Sequence, residues 1–245
     1  MQKKLMNIVV LIAILASCSK SVIKNPEDDN NGSEPPVEQS SMNGYGASDK
    51  PFDAASWNLP AGIELKDSVH EYSYCWAFDP YTQVPEKDWK GVPIGFPFCI
   101  SLKNKTSKPV IIQFPPELIL VSASVLHQNT IVIDLGTIEI PASAEITIVA
   151  QGFCLNKGRT IPETFVDGTE NFLSYSFGPS QVPAALKEIT SIVESKHITM
   201  ANVLDENGHV DNSKIEKYVV IQTAIWEVTD DGGLSGATRK KLEAL

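Results

Sequence analysis

Five short apolar segments in the middle of the chain set the fold: Phe96-Pro-Phe-Cys-Ile-Ser-Leu-Lys103, Val110-Ile-Ile-Gln-Phe114, Leu118-Ile-Leu-Val121, Thr130-Ile-Val-Ile-Asp-Leu135 and Glu145-Ile-Thr-Ile-Val-Ala150. Most of these segments are rich in β-branched residues, which favour strands. Turn-forming stretches such as Asn104-Lys-Thr-Ser-Lys-Pro109 separate them. Strands this short, without helical patterns between them, predict an antiparallel β-sandwich.

The periodicity of the sequence changes after residue 180. Apolar residues between Leu186 and Val193 recur at helical spacing and predict a first helix. A second helix is expected from Ser213-Lys-Ile-Glu216, which has the spacing of a capping box, to a stop at Gly232-Gly233. Residues 235–245 have the pattern of a third. We therefore expect a mainly β fold with a C-terminal α part, in which an antiparallel β-sandwich packs against two or three helices.

The second predicted helix carries a glutamine within its apolar face. At about 100° per residue, this face consists of Ile215, Tyr218, Val219, Gln222, Ile225 and Trp226. Burying an amide without partners costs roughly 1 to 3 kcal/mol. Gln222 is therefore expected to have a hydrogen-bonding or a chemical reason for its position.

The helix face just described contains Ile221-Gln-Thr-Ala-Ile-Trp226, and an earlier stretch reads Phe153-Cys-Leu-Asn156. These two motifs resemble those of thioester domains in bacterial surface adhesins. Ile221-Gln-Thr-Ala-Ile-Trp226, followed by Thr229-Asp230, resembles the glutamine motif Gln-x-Ala-Ile-Trp of that family. Phe153-Cys-Leu-Asn156, followed by Pro162, resembles the matching cysteine motif. The resemblance extends from residue 152 to residue 232, and its glutamine motif is the more specific part.

The resemblance implies an internal thioester, which forms when the thiolate of Cys154 attacks the side-chain carbonyl of Gln222 and ammonia leaves. An amine or hydroxyl of a partner can then displace the sulfur and stay covalently attached. Trp226 and Asn156 are expected to line the thioester pocket and keep water out. Cys75, which aromatic residues flank, is an alternative thioester cysteine. The resemblance also allows a relative that has kept the fold and lost the bond, in which Gln222 bonds to backbone and Cys154 is core.

The first residues of the chain have the layout of a lipoprotein signal peptide. Lys3 and Lys4 precede an apolar run of about a dozen residues, which is too short to span a bilayer, and Leu15-Ala-Ser-Cys18 closes it like a lipobox. Cys18 is therefore expected to carry the lipid and to attach the protein to a membrane. The residue after Cys18 is not Asp, and the resemblance to lipoproteins of diderm bacteria then implies an outer-membrane or cell-surface location.

The patterning divides the chain into four regions. Residues 1–17 are predicted to be the signal peptide, and residues 18–50, which are rich in Pro, Asn and acidic residues, a lipid-anchored disordered tether. Residues 51–155 hold an aromatic-rich segment and the β-sandwich. Residues 156–245 form a helical, thioester-like region packed on the sandwich.

Composition and cysteine count argue against some kinds of partner and of binding site. A formal charge of −10 and a pI near 4.9 argue against nucleic acid. No cofactor is expected, and no metal site, because no Cys or His cluster has zinc spacing. With Cys18 acylated, the cysteines Cys75, Cys99 and Cys154 remain in an oxidising compartment. A disulfide between Cys75 and Cys99 with Cys154 in the core is the simplest arrangement, although the sequence does not fix the pairing.

Three classes of function remain open from the sequence. The first is an adhesion module that attaches, or once attached, covalently to its partner. The second is a non-covalent binding lipoprotein that recognises an extracellular protein or glycan through the aromatic segment before residue 90. The third is a hydrolase, but Gly-x-Ser-x-Gly, His-Glu-x-x-His and phosphate-loop motifs do not occur, so an enzyme is not expected.

Overall fold

The structure is a computed structural model that describes residues 42–71, 84–93, 95–161, 165–166, 169–170 and 173–245. The predicted signal peptide, Cys18 and Cys75 lie outside these residues. Within the described ranges, no helix is long and apolar enough to cross a membrane.

Strands dominate the described part of the chain, where they form one large sheet and two ribbons. They are β1 (Ile63–Leu65), β2 (Val69–Glu71), β3 (Phe96–Asn104), β4 (Val110–Gln113), β5 (Glu117–Ser122), β6 (Thr130–Ile133), β7 (Thr137–Ile140), β8 (Glu145–Cys154), β9 (Phe165–Val166), β10 (Thr169–Glu170) and β11 (Ser174–Phe177). The ribbons pair β4 with β7 and β9 with β10, and every pairing of strands is antiparallel.

Six strands of the large sheet close into a barrel. Their order is β3, β2, β11, β5, β6 and β8, and β8 returns to β3 along a ladder from Phe96 opposite Gly152 to Lys103 opposite Glu145. The short strand β1 pairs with the same edge of β3 as β2 does, opposite the edge that pairs with β8. It lies further along β3, next to residues 102–104. The predicted mainly β fold with a helical C-terminal part is confirmed, but the β part is a closed barrel and not the predicted sandwich.

The barrel replaces the sandwich because β8 is longer than its predicted segment and because β3 pairs on both of its edges. β8 continues to Cys154, four residues past the predicted segment end at Ala150. β3 pairs with β8 on one edge and with both β1 and β2 on the other. Strand β3 therefore joins the two ends of the sheet. Such closure depends on contacts between residues far apart in the sequence, which local alternation does not encode.

Helices cover one side of the barrel. They are α1 (Ala184–Glu194), α2 (Asn212–Ile215), α3 (Val219–Thr229) and α4 (Gly236–Glu243), with a 3-10 turn between α2 and α3. The second predicted helix thus divides into α2 and α3, and its cap differs from the prediction. Asp211 accepts a hydrogen bond from the main-chain N–H of Ser213 at 2.9 Å, so the capping residue precedes the predicted Ser213 box. Beyond the end of α3, Gly232 and Gly233 adopt positive φ, as expected of a helix stop.

Strand β8 has two buried faces with different neighbours. Ile148, Ala150 and Cys154 belong to the core inside the barrel. Phe153 and the following Leu155 belong to a second core between the barrel wall and the helices, which we call the helix-side core. Because side chains alternate along a strand, Cys154 directs its thiol into the barrel interior.

Residues 42–50, predicted as the end of the tether, pack against the fold, and we call them the N-terminal strap. Tyr45 is buried in the helix-side core, with its ring edge-on to Phe52 at 4.8 Å between centroids. The main-chain N–H of Gly46 donates to the carbonyl of Leu155 at 3.0 Å. The folded region therefore begins before residue 51, because side chains of the barrel fix a stretch whose own composition is that of a linker.

Candidate functional site

Cys154 is the last residue of β8, and its side chain is fully buried. It lies opposite Thr130 of β6. It is not part of a disulfide. The fold therefore places a buried thiol at the end of the barrel where β8 leads into the segment that precedes β9.

Gln222 lies in the first turn of α3, at the same end of the barrel. Most of this helix packs on the helix-side core, through Ile221, Ala224, Ile225 and Val228. Gln222 is half-buried, and Trp226, one turn further along the same face, belongs to the core inside the barrel together with Cys154. The face of α3 that carries Gln222 therefore turns toward the end of the barrel.

The structure brings the predicted pair together through two hydrogen bonds. The main-chain N–H of Cys154 donates to Oε1 of Gln222 at 2.9 Å. Nε2 of Gln222 donates to the main-chain carbonyl of Cys154, also at 2.9 Å. The amide of Gln222 thus has the hydrogen-bonding reason that its place in an apolar face predicts, and its partner is the residue that carries the thiol.

The residues that follow the two motifs are also in contact with each other. The main-chain N–H of Lys157 donates to Oδ2 of Asp230 at 3.3 Å, and the Thr229 hydroxyl donates to the same oxygen at 2.6 Å. Nζ of Lys157 also forms an ion pair with Asp231 at 3.0 Å. Burial raises the pKa of the Asp230 carboxyl above its usual range, against the effect of these donors. The segment after β8 and the end of α3 are therefore held together beyond the Cys154–Gln222 contact.

The arrangement collects the groups that acyl transfer from an amide needs. Because both hydrogen bonds end on the main chain of Cys154, the carboxamide of Gln222 lies beside the Cα of the thiol-bearing residue. The N–H of Cys154 points at Oε1, the atom on which negative charge develops when a nucleophile attacks the carbonyl carbon. Nε2 is the atom that would leave as ammonia. The amide is intact in the structure, with both of its polar ends hydrogen-bonded.

Trp226, which is predicted to line the thioester pocket, lies one turn from Gln222 on the same helix face. It is 7% exposed and packs in the barrel core that contains Cys154. Its indole Nε1 is buried without a hydrogen-bond partner. A large apolar side chain one turn from Gln222 restricts the access of water to the carboxamide.

Asn156, which is predicted to line the thioester pocket, uses its side-chain amide for hydrogen bonds with main-chain groups. Its Nδ2 donates to the carbonyls of Gly44 and Gly46, at 3.3 and 2.9 Å, and its Oδ1 accepts from the N–H of Asn129 at 2.8 Å. The side chain is fully buried and engaged with main-chain groups. Asn156 therefore fastens the N-terminal strap to the barrel, and the adjacent Leu155 directs its side chain away from the barrel interior.

Two residues near Cys154 escaped the sequence analysis. Thr130 is the first residue of a segment that was predicted to be a strand and nothing more. Tyr175 lies in β11, whose short alternating sequence Ser-Tyr-Ser-Phe was not predicted to be a strand. Both are buried, at 0% and 3% exposure, and the hydroxyl of neither has a hydrogen-bond partner. The alternation of Tyr175 and Phe177 was the one available signal, and the position of these residues next to Cys154 arises only from closure of the barrel.

The other cysteines and the aromatic segment are only partly described. Cys99 is disulfide-bonded to a sulfur outside the described residues, so its predicted pairing with Cys75 stays a prediction. Trp57 packs against Phe114 and Phe177, with ring centroids 5.2 and 5.1 Å away, and so covers the barrel core. Among the residues with described positions, no group of three or more His, Cys, Asp or Glu side chains can hold a metal ion.

Comparison with known protein families, with curated proteins and with solved structures found no match to this chain.

Proposed function

We propose that this chain is an exported, lipid-anchored surface protein and that its barrel and helices form an adhesion module similar to a thioester domain. In this proposal Cys18 carries the lipid and holds the protein to the outer membrane. Cys154 and Gln222 form an internal thioester, which captures a nucleophile on an extracellular partner. The observation that carries the proposal is the pair of 2.9 Å hydrogen bonds between the Gln222 carboxamide and the main chain of Cys154.

The reaction has two balanced steps. In the first, Sγ of Cys154 attacks Cδ of Gln222, the carbon–sulfur bond forms, the carbon–nitrogen bond breaks, and the thiol proton leaves with the ammonia. In the second, an amine or hydroxyl of the partner attacks the same carbon, the carbon–sulfur bond breaks, and the proton of the nucleophile passes to the sulfur. The partner remains attached to residue 222 by an amide or ester bond.

The surroundings of the pair favour such a bond over hydrolysis. Cys154 is fully buried and Trp226 nearly so, which keeps bulk water from the acyl carbon. The N–H of Cys154 remains available to Oε1 in the thioester, because the reaction removes only Nε2. The same donor therefore serves the amide, the tetrahedral intermediate and the product.

Intact-mass measurement of the lipid-free chain from Ser19 onward tests the proposal. The wild type is expected to lack the mass of one ammonia, whereas Cys154→Ser and Gln222→Glu are expected to keep their full masses. Gln113→Glu alters a glutamine that is exposed on β4 and is expected to lose ammonia as the wild type does. A wild type of full mass, with a thiol at Cys154 that titrates after unfolding, contradicts the covalent proposal.

A second candidate is a non-covalent binding lipoprotein that keeps this fold without a thioester. It draws support from the intact amide, because Gln222 satisfies both polar main-chain groups of Cys154 and so acts as a clamp between β8 and α3. Binding would then fall to the aromatic segment, whose Tyr72, Tyr74, Trp76, Phe78 and Tyr81 lie outside the described residues. A glycan array probed with wild type and Trp76→Ala tests this candidate: an absent signal, or one that Trp76→Ala leaves unchanged, removes sugar recognition through that segment.

A further inference from the structure

Two buried hydroxyls near Cys154 have no hydrogen-bond partner. Thr130 is fully buried and Tyr175 is 3% exposed, and Oγ1 of the first and the phenolic oxygen of the second make no hydrogen bond. The Tyr175 hydroxyl lies near Ser122 without reaching hydrogen-bond geometry. Buried polar groups are paired in the great majority of cases, so each exception requires an explanation.

Thr130 faces Cys154 across the β6–β8 ladder. The N–H and C=O of Cys154 are directed at Gln222, away from β6, while the N–H of Leu155 donates to Asn129 on the β6 side at 2.9 Å. Thr130 and Cys154 are therefore a non-hydrogen-bonded pair, the kind in which opposite side chains approach most closely. Both side chains are on the inner face of the barrel.

Tyr175 approaches the same place from the far side of the barrel. Its ring is edge-on to Phe98, with centroids 4.9 Å apart. The Phe98 ring lies against Gly152, the inward-facing residue before Cys154, where a Cβ would be 3.2 Å from Cε2 of the ring. The Thr130 methyl group fills the same space, 2.1 Å from that Cβ position. Only glycine at position 152 admits both neighbours, so Thr130 and the Phe98 ring on which Tyr175 packs meet at the inward-facing residue before Cys154.

The sulfur and the tyrosine also act on each other electrostatically. Burial raises the pKa of Tyr175, and the charges of Cys154 and Glu71 raise it further. The phenol therefore keeps its proton at physiological pH and can serve only as a neutral donor toward a charged sulfur.

We propose that the hydroxyls of Thr130 and Tyr175 form a binding site for the thiolate of Cys154. The inference rests on the proposed function, because the thiolate arises when the sulfur attacks Gln222 and again when a partner's nucleophile expels it. In the resting state neither hydroxyl oxygen is in hydrogen-bond geometry with the thiol. When the sulfur carries charge, small rotations of the two side chains bring the hydroxyls to it, and the charge-assisted hydrogen bonds that form are stronger than any to the neutral thiol. Neither hydroxyl gives up its proton. They stabilise the charged states of the reaction more than the resting state, which is the condition for accelerating it.

Reaction of the thioester protein with methylamine tests the inference. Tyr175→Phe keeps the ring contact with Phe98 and Thr130→Val keeps the side-chain shape, and each removes one donor. Each is expected to slow the reaction about tenfold or more, followed by intact mass, because hydrogen bonds to charged groups are the strong ones. Tyr45→Phe is the matched control, since its hydroxyl is also buried without a partner but lies in the helix-side core. Thr130→Ser restores a hydroxyl and is expected to restore most of the rate.

A second measurement does not depend on the thioester. Methylamine first opens any thioester and so frees the thiol of Cys154 in every variant. Ultraviolet titration of the thiolate, with Cys154→Ser as the blank, is then expected to show the pKa of Cys154 raised by about one unit in Tyr175→Phe and in Thr130→Val. A wild type that never loses ammonia defeats the proposed function, and the titration then decides the inference alone. Variants that react with methylamine and titrate as the wild type and Tyr45→Phe do would overturn the thiolate site, as would Thr130→Ser matching Thr130→Val in both measurements.

Discussion

The carboxamide of Gln222 takes the place of a strand beside Cys154. Strand β3 begins at Phe96, opposite Gly152, so none of its residues faces the end of β8. There the Gln222 side chain supplies both hydrogen bonds, at 2.9 Å each, that a further strand residue would have made. One side chain of α3 thereby extends the barrel ladder and places a carbonyl carbon beside a thiol-bearing residue.

Removal of the Gln222 carboxamide is expected to destabilise the fold independently of any thioester. In a Cys154→Ser background, Gln222→Ala leaves the N–H and C=O of residue 154 without partners, at a cost of about 2 to 4 kcal/mol. Gln222→Asn is expected to cost nearly as much, because its amide is one methylene too short to reach. The free energy of unfolding in urea measures the effect.

The exposed glutamine of β4 provides the control for this measurement. Gln113→Ala in the same background is expected to stay within about 0.5 kcal/mol of the parent, as exposed substitutions usually do. If Gln222→Ala behaves as Gln113→Ala does, the clamp between β8 and α3 does not exist in solution.

Asn156 is expected to control attachment of the N-terminal strap. Asn156→Ala removes hydrogen bonds to the carbonyls of Gly44 and Gly46 and to the N–H of Asn129, and leaves these main-chain groups buried. A loss of about 2 to 3 kcal/mol is expected, together with faster cleavage of residues 42–50 in limited proteolysis. Asn58→Ala, at an exposed asparagine, is expected to change neither; equal cleavage of both variants would contradict the role of Asn156.

Elements whose structure follows from local pattern were predictable from the sequence. The apolar spacing from Leu186 to Val193 becomes α1, and the face that includes Gln222 and Trp226 becomes part of α3. Closure of the barrel was not predictable, because it depends on β3 and β8 pairing across residues distant in the sequence. Alternation specifies which face of a strand is buried but not whether the sheet returns on itself.

The residues of the candidate site also fall into those that the sequence identified and those that depend on the closed barrel. Cys154 and Gln222 were identifiable because each lies in a motif of contiguous residues, and the structure places them in contact. Thr130 and Tyr175 were not, since their approach to the sulfur requires the closed barrel. The N-terminal strap was missed because Asn43-Gly-Tyr-Gly46 has the composition of a linker, and the side chain that orders it, Asn156, belongs to a distant part of the sequence.

Gly46 is expected to tolerate no side chain. It adopts a φ of +55°, and a Cβ there would lie 2.0 Å from the main-chain oxygen of Thr229, at the end of α3. Gly46→Ala combines an unfavourable backbone conformation with a clash against a helix, so a loss of at least about 2 kcal/mol is expected. Thermal and urea unfolding measure it.

Gly158 is the matched position for this test. A Cβ at Gly158 would meet nothing within 4 Å, so Gly158→Ala is expected to be neutral or slightly stabilising. If Gly46→Ala is as stable as Gly158→Ala, the strap does not pack on α3 as described.

Glu194, the last residue of α1, is expected to make stability depend on pH. Burial raises the pKa of its carboxyl above the ordinary value of 4.5, as do the charges of Glu117 and Asp134, while Lys187 opposes them. A carboxyl whose pKa is higher in the folded than in the unfolded state contributes to the free energy of unfolding fully at a pH below the unfolded-state pKa. This contribution is lost as the pH rises through the folded-state pKa. Glu194→Gln is therefore expected to match the wild type near pH 4 and to exceed it at pH 7, by less than about 1 kcal/mol because solvent screens the group. Urea unfolding across this pH range measures the difference. Glu206→Gln, in an exposed turn, is the control and should show no difference from the wild type. A gain in stability of Glu194→Gln that stays constant with pH would contradict the role of ionisation and point to other effects of the substitution at the C-terminal end of the helix.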